Sequence, residues 1–273
     1  MDGPFFISLF GGACFALSAI MACTHLHRRT SVSLLLLRLS ALLALFLNAV
    51  YLGWSLRLHG SVETFRQTYD SALLMAALVG LVGIGTHLST ALRGLDGFLF
   101  LIAALLDIGA SAMIGERYAA PTYQRWFVSH GLAFAVSSAC FVAGGATGVA
   151  YLLIHRMLRL KGGLSLVGSV PSLEALERFG RWTLAIGFPL FTYGMLTGVC
   201  GVWHRADIGR TAWYLDPSVL ISLVVWLAYA YGLWALIFRP QLRGRRAAVL
   251  ATCGMALVVI AIVVKDFVSP IHQ

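Results

Sequence analysis

The sequence predicts an all-α integral membrane protein, a bundle of about eight transmembrane helices with both termini on the extracytoplasmic side. Two observations lead to that fold class. Of 273 residues, 59% are hydrophobic and 11% charged, against roughly 25% charged in soluble domains. The apolar residues also fall into eight runs, each close to the 20 or so helical residues that span a bilayer core. Eight such helices consume roughly 160 positions and leave short loops, so 1–273 reads as a single polytopic membrane domain. Rossmann, TIM-barrel and zinc-ribbon enzymes are thereby excluded. The net charge of +9 is read as cytoplasmic loop charge, and no nucleic-acid partner is expected.

In chain order the runs are Pro4 to Cys23, Leu34 to Trp54, Ala72 to Ser89, Phe98 to Ile114, Phe127 to Ile154, Trp182 to Trp203, Val219 to Phe238 and Ala247 to Phe267. Stretches such as Leu34 to Leu37 and Ala256 to Val264 are apolar on every face. A transmembrane barrel would show segments of about ten residues alternating in polarity, so the spans are helical. The longest connector, His155 to Arg181, is basic, and its Ser172 is placed to cap a short surface helix.

Orientation follows from charge. Arg28, Arg29, Arg38, Arg93, Arg156, Arg159, Lys161, Arg178, Arg181, Arg239, Arg243, Arg245 and Arg246, thirteen of the 20 Lys and Arg residues, lie in or beside the odd-numbered loops. The positive-inside bias makes those loops cytoplasmic. Glu63, Asp70, Glu116, Asp207, Asp216 and Asp266 then fall on the outer face. The first run lacks a basic n-region and is followed by His27, Arg28 and Arg29, so a cleaved signal peptide is not expected. The five cysteines form no Cys-x-x-Cys pair and suggest neither a thiol–disulfide enzyme nor a zinc site.

Histidine is the residue type with most to offer here, because imidazole near a membrane ligates haem or metal, relays protons, or anchors a helix end at the interface. His25, His27, His87 and His155 fall at cytoplasmic helix ends; His59, His130, His204 and His272 fall outside. Spacing alone leaves interfacial anchoring as the simpler reading of any one of them. Asp107 is the acid placed inside a span, at a cost of roughly 2.5–3.5 kcal/mol on insertion scales, and sequence identifies no partner for it. Protonation, an arginine partner and a polar pathway all remain open. The pairs Gly144 with Gly148 and Gly194 with Gly198 have the small-x-x-x-small spacing of close helix packing. Trp203, Trp213, Tyr214 and Trp226 border the loop between the sixth and seventh spans. They suit an interfacial aromatic belt or a rim around a flat porphyrin.

The stretch from Gly187 through Phe188, Pro189, Leu190, Phe191, Thr192, Tyr193, Gly194, Met195, Leu196 and Thr197 to Gly198 resembles the cytochrome c assembly family, haem-handling membrane proteins of the CcsA and HemX type. Other segments follow the same order: Thr68 to Leu74 before the third span, Trp126 to His130 opening the fifth, Tyr151 to Leu153 closing it, Pro171 to Glu174, and Phe267 to His272 after the last. The resemblance covers about 51–273. It implies an outer tryptophan-rich loop that cradles haem b while two flanking histidines, here His130 and His272, ligate its iron. Trp213, Asp216, Pro217 and Trp226 match the loop pattern. Leu215 and Ile221 stand where the family has tryptophan, and Ser218 and Val219 replace a charged pair, which favours a divergent HemX-like member.

As the resemblance implies, His130 and His272 would be neutral axial ligands, Trp213 and Trp226 would pack on the porphyrin, and Asp216 with Pro217 would shape the loop. Arg57, Arg66, Arg117, Arg125, Arg205 and Arg210 are outer cations suited to carboxylate propionates. The expected partners are haem, a membrane subunit of a cytochrome c assembly complex and apocytochrome c. Bond formation would need the acceptor's thiol pair and a partner subunit, so no catalytic residue is assigned. The expected location is a bacterial-type cytoplasmic membrane. Three rival readings stand beside this one: a subunit holding haem b between helices for electron transfer, a small-solute transporter built around Asp107 and glycine-interrupted helices, and a scaffold or regulatory subunit with a degenerate haem site.

Overall fold

The structure is a computed structural model that describes residues 2–28, 30–66, 68–111, 124–160, 170–203, 213–239 and 244–268. Eight α-helices account for nearly all of them: α1 Asp2–Arg28, α2 Ser31–Arg66, α3 Thr68–Leu88, α4 Leu95–Ala110, α5 Gln124–Arg159, α6 Leu173–Trp203, α7 Pro217–Phe238 and α8 Arg245–Val268. Among the described residues there is no strand. Seven of the helices are long and apolar enough to cross a membrane; α4, with 16 residues, is the shorter one. The chain is thus an all-helical, multi-pass membrane bundle. Helices satisfy backbone hydrogen bonds within the segment, which lipid cannot do for them.

The helix starts are written in local chemistry. Thr30 Oγ1 accepts the Ser33 amide at the head of α2. Gly94, at φ 96°, turns the chain into α4, where the Asp96 carboxylate accepts the Gly94 amide; glycine takes that left-handed conformation without a Cβ clash. Ser172 Oγ accepts the Ala175 amide at 3.2 Å, but the helix it caps is α6 itself. The expected short surface helix is absent there: Leu173–Trp203 runs unbroken for 31 residues, because Leu176, Phe179 and Thr183 continue an inward face on α5.

Helix α4 packs on α1 and α3, α2 packs against the same two, and α5 packs chiefly against α6 and α8. Phe15 and Phe100 stack at 6.3 Å in the first group, both fully buried. Helix α5 is central, with 67% of its span buried against 17–22% for α6, α7 and α8, so those three turn most of their surface outward. Its small residues set the spacing. A Cβ at Gly144 would lie 2.8 Å from Thr183 Oγ1 of α6, and one at Gly148 2.6 Å from the Ala248 carbonyl of α8, the close approach that small-x-x-x-small pairs permit.

Polar residues inside this bundle are paired across helices. Asp107 is fully buried, and its two oxygens accept the Asn48 side-chain amide at 3.0 and 3.2 Å. Gly11 of α1 presses against the pair, since a Cβ there would lie 2.7 Å from Asp107 Oδ2. The partner is therefore an amide of α2, not an arginine. Asp107 is also not the lone buried acid. Asp70, in the first turn of α3, is 1% exposed and accepts Ser55 Oγ at 2.8 Å. At the other end of this half, His87 Nδ1 meets Asp96 at 2.8 Å, Arg38 Nε reaches His87 Nε2 at 3.5 Å, and His25 Nδ1 lies 3.1 Å from Ser33 Oγ. These histidines tie helix ends together.

Removing one member of the Asn48–Asp107 pair strands a buried polar group, which costs more than removing both. Asn48→Leu should lower stability by about 1–3 kcal/mol. Combining Asn48→Leu with Asp107→Leu should recover most of that loss, as read from thermal unfolding in detergent.

Candidate functional site

The segment Gly187 to Gly198 lies wholly within α6, and its side chains and carbonyls form a receptor for two neighbouring helices. On one side, the His130 imidazole of α5 reaches the Gly194 carbonyl, with Nδ1 at 2.8 Å from the oxygen. A carbonyl only accepts, so Nδ1 carries the proton and Nε2 is the basic nitrogen of the ring. Gly198 makes room for that ring: a Cβ there would sit 2.7 Å from Cε1 and 2.8 Å from Nδ1. Phe134, one turn along α5, tilts against the imidazole at 4.7 Å between centroids. A Cβ at Gly194 would in turn meet Phe134 at 2.6 Å.

On the other side, Trp226 of α7 donates its indole N–H to Thr192 Oγ1 at 3.0 Å, and Thr192 passes its own proton to the Phe188 carbonyl at 2.9 Å. The Trp226 ring also packs beside Phe188 at 5.6 Å. Behind the motif, Phe191 lies between Phe134 and Phe141. The motif is thus a contact surface on which α5 and α7 are both positioned.

Asp216 and Pro217 start α7. The buried Asp216 carboxylate accepts the Ser218 amide at 2.8 Å and the Ser218 hydroxyl at 2.6 Å, and Pro217 occupies the first helical position, where its missing N–H costs nothing. Ser218, which replaces a charged residue of the family pattern, thus belongs to the cap. Tyr214 and Leu215 in the preceding 3-10 turn are exposed.

Of the residues singled out from sequence, His130 and Trp226 are brought to one helix, and Asp216 and Pro217 to the head of α7. Trp226 sits nine residues beyond Pro217, about 13 Å along the helix at 1.5 Å per residue, so it belongs to the span and not to the loop rim. Arg57 is exposed on α2. His272, His27, His59, His204, the Trp213 side chain and the side chains of Arg66, Arg117, Arg125, Arg205 and Arg210 lie outside the described residues. Sequence reasoning did not find Thr192 or the Gly194 carbonyl as partners. The Thr192 hydroxyl has no sequence signature beyond its place in the motif, and a carbonyl has none at all.

Among the described residues no group of three or more His, Cys, Asp or Glu side chains gathers to hold a metal ion.

A family model described as cytochrome C assembly protein matches residues 13–272 of the chain. Among curated relatives, the cytochrome c biogenesis protein CcsA of Thermosynechococcus vestitus is 38% identical over 85 residues, covering 31% of this chain and 25% of that protein. CcsA of Guillardia theta is 28% identical over 159 residues, covering 53% of this chain and 52% of its own length. CcsA of Synechococcus sp. strain WH7803 is 28% identical over 165 residues, covering half of each. The chain therefore matches about half or less of the length of these relatives. No solved structure matches it.

The fit between Gly198 and the imidazole yields a paired expectation. Gly198→Ala should destabilise the protein by about 1–3 kcal/mol through overpacking. Adding His130→Ala should restore much of the loss, because the methyl then occupies the space the ring vacates; thermal melting of the two variants checks this.

Proposed function

The chain belongs to the cytochrome c assembly protein family, and from that premise we propose that it handles haem for cytochrome c biogenesis, holding it at an outer-face site with His130 and His272 as axial ligands. The observation that carries the reading is the His130 ring. Its Nδ1–H is committed to the Gly194 carbonyl, the second hydrogen bond by which proteins orient an imidazole and raise its basicity as a metal ligand. The glycine at 198 supplies a cradle that any side chain would fill. This half of the site fits a haem ligand. His272 and Trp213 are assigned to the other half by the resemblance alone.

In this proposal His130 presents Nε2 as a neutral donor whose direction is set by α6. Trp226 and Thr192 hold α7 against the same helix, and Asp216 with Pro217 fixes where α7 begins. Haem b, when bound, would supply the iron for the two imidazoles to hold and the vinyl groups for an acceptor's thiols. Arg57 and the five other outer arginines offer cations for the propionates. The partners proposed are haem, a membrane partner subunit of an assembly complex and apocytochrome c. The location proposed is a bacterial-type cytoplasmic membrane with both termini outside, in keeping with the loop arginines.

Purified protein should show a Soret band, alone or after adding haemin, with a shift on dithionite and a haem b pyridine haemochrome. His130→Ala and His272→Ala should each cut haem occupancy by at least tenfold at fixed haemin, since each removes an iron ligand, while His25→Ala should leave it near the unsubstituted level. Equal loss in all three signals misfolding. No haem uptake by the unsubstituted protein overturns the proposal in favour of a scaffold or regulatory subunit.

A further inference from the structure

Helices α5, α6, α7 and α8 enclose a cavity of about 230 Å³. On α5 its lining begins at Cys140, ten residues or roughly 15 Å of helix beyond His130. On α8 it runs from Gly244 to Leu257, so the cavity stretches from the end of the bundle where α8 begins to the middle of the span. Exposed Tyr231, Leu250 and Cys253 belong to its wall, and through them it is open to the surface that faces lipid in a membrane. Between α6 and α7 the packing is loose: a Cβ at Gly232 would meet nothing nearer than Leu184 Cδ2 at 3.9 Å.

The charged groups of the wall sit at one end of it. Glu177 and Arg181 of α6 are both half-buried there. Gly244, at φ 73°, approaches the same end: a Cβ on it would lie 3.1 Å from the Tyr151 hydroxyl and 3.6 Å from Glu177 Oε1. Tyr151 donates its hydroxyl to Glu177, and the other acid at the start of α6, Glu174, holds Arg178 at 2.7 Å. Arg181 is left over. Among the described residues it has neither a hydrogen bond nor an ion pair, and a guanidinium partly withdrawn from water without a partner calls for an anion. Exposed Arg245 and Arg246 follow Gly244 and add positive charge at this end. Exposed Trp182, next to Arg181, suits the depth of the membrane–water interface, where tryptophan is enriched.

We propose that the cavity holds an acyl chain of an anionic phospholipid, with the lipid's phosphate taken by the Arg181 guanidinium at the charged end. Three features select this occupant. Polarity is graded along the cavity, an unpaired cation at the end of the bundle and apolar wall beyond it, which is the order of headgroup and chain in a lipid. The opening faces lipid, so a membrane-dissolved molecule enters without crossing water. Cations also outnumber uncommitted carboxylates at the charged end, because Glu174 and Glu177 are engaged within the protein. A zwitterionic headgroup would set its ammonium beside Arg181, Arg245 and Arg246, whereas the glycerol of phosphatidylglycerol brings no such charge. A guanidinium offers a phosphate two parallel N–H donors, and basic pockets between membrane helices hold anionic headgroups by the same attraction. The inference does not rest on the haem reading.

The test uses the full chain without haem, purified in detergent and titrated with dioleoylphosphatidylglycerol and, separately, with dioleoylphosphatidylcholine, which has the same chains; native mass spectrometry counts the lipids bound. One phosphatidylglycerol should bind saturably and about fivefold more tightly than phosphatidylcholine, the worth of one cation near an anionic headgroup. Arg181→Gln should weaken phosphatidylglycerol about tenfold, as for one hydrogen bond between charged groups, and narrow its advantage, while Arg181→Lys should keep the preference. Gly232→Phe, which fills the cavity from its loosely packed side, should abolish the saturable binding. Glycerol 3-phosphate, which has the headgroup chemistry without the chains, should not compete. His130→Ala should bind lipid as before, which keeps this result separate from the haem test. Equal affinity for the two phospholipids, no change in Arg181→Gln, or oleate binding as tightly as phosphatidylglycerol, overturns the proposal.

Discussion

Helix α5 lies so close to α6 and α8 that a single methyl group at position 144, 148 or 198 would meet a neighbouring oxygen, ring or backbone atom within 2.8 Å. In lipid this closeness takes the place of the hydrophobic effect, because hydrocarbon outside the bundle is as apolar as any leucine within it and helices associate through packing and hydrogen bonds. The buried fraction of α5 follows from it, as does the outward turn of α6, α7 and α8. So does the placement of His130, whose ring fills the shallow space that Gly198 leaves. Alanines at 139, 143, 146 and 150 extend the same tight face along α5.

Where the helices do diverge, polar groups decide what fills the space. In the α1–α4 half, Asp107 accepts from Asn48 and Asp70 from Ser55, so these two acids are held by neutral donors from α2. No full opposite charge is needed to keep these carboxylates in the bundle. In the α5–α8 half the buried Tyr229 hydroxyl has no hydrogen-bond partner.

Much of the fold was legible in the sequence, because about 20 consecutive apolar residues are a demand of the bilayer and not of any particular partner. The ends were less so. Apolar runs locate the part of a helix inside lipid, whereas α2 and α5 each extend to 36 residues through polar turns that hydropathy does not register. Glycine pairs correctly marked close contacts, since spacing of four is a property of one helix alone. The Asn48–Asp107 pair was hidden, its members 59 residues apart with no shared motif. Trp226 was read as part of an aromatic rim because tryptophan is common at interfaces; the hydroxyl of Thr192, one helix away, is what draws its indole deeper. Asp216 and Pro217 were picked out by the resemblance, as residues that shape the loop; their role as N-cap and first residue of α7 came from the structure.

The arrangement around Gly194 shows why a motif of small and apolar residues marks a site that holds a histidine. The Gly194 carbonyl faces the amide of residue 198 within α6, it accepts the Thr197 hydroxyl at 2.9 Å, and it accepts His130 Nδ1 at 2.8 Å. An imidazole reaches that oxygen from outside the helix only if the residue one turn on has no side chain in the way. Gly198 therefore provides both the space for the ring and the route to the carbonyl. A side chain at 198 would push the ring off and leave Nδ1 to choose its partner, and with the tautomer undetermined the direction of the basic nitrogen would be lost. The glycine spacing that signals helix packing and the chemistry assigned to His130 are one constraint viewed from two helices.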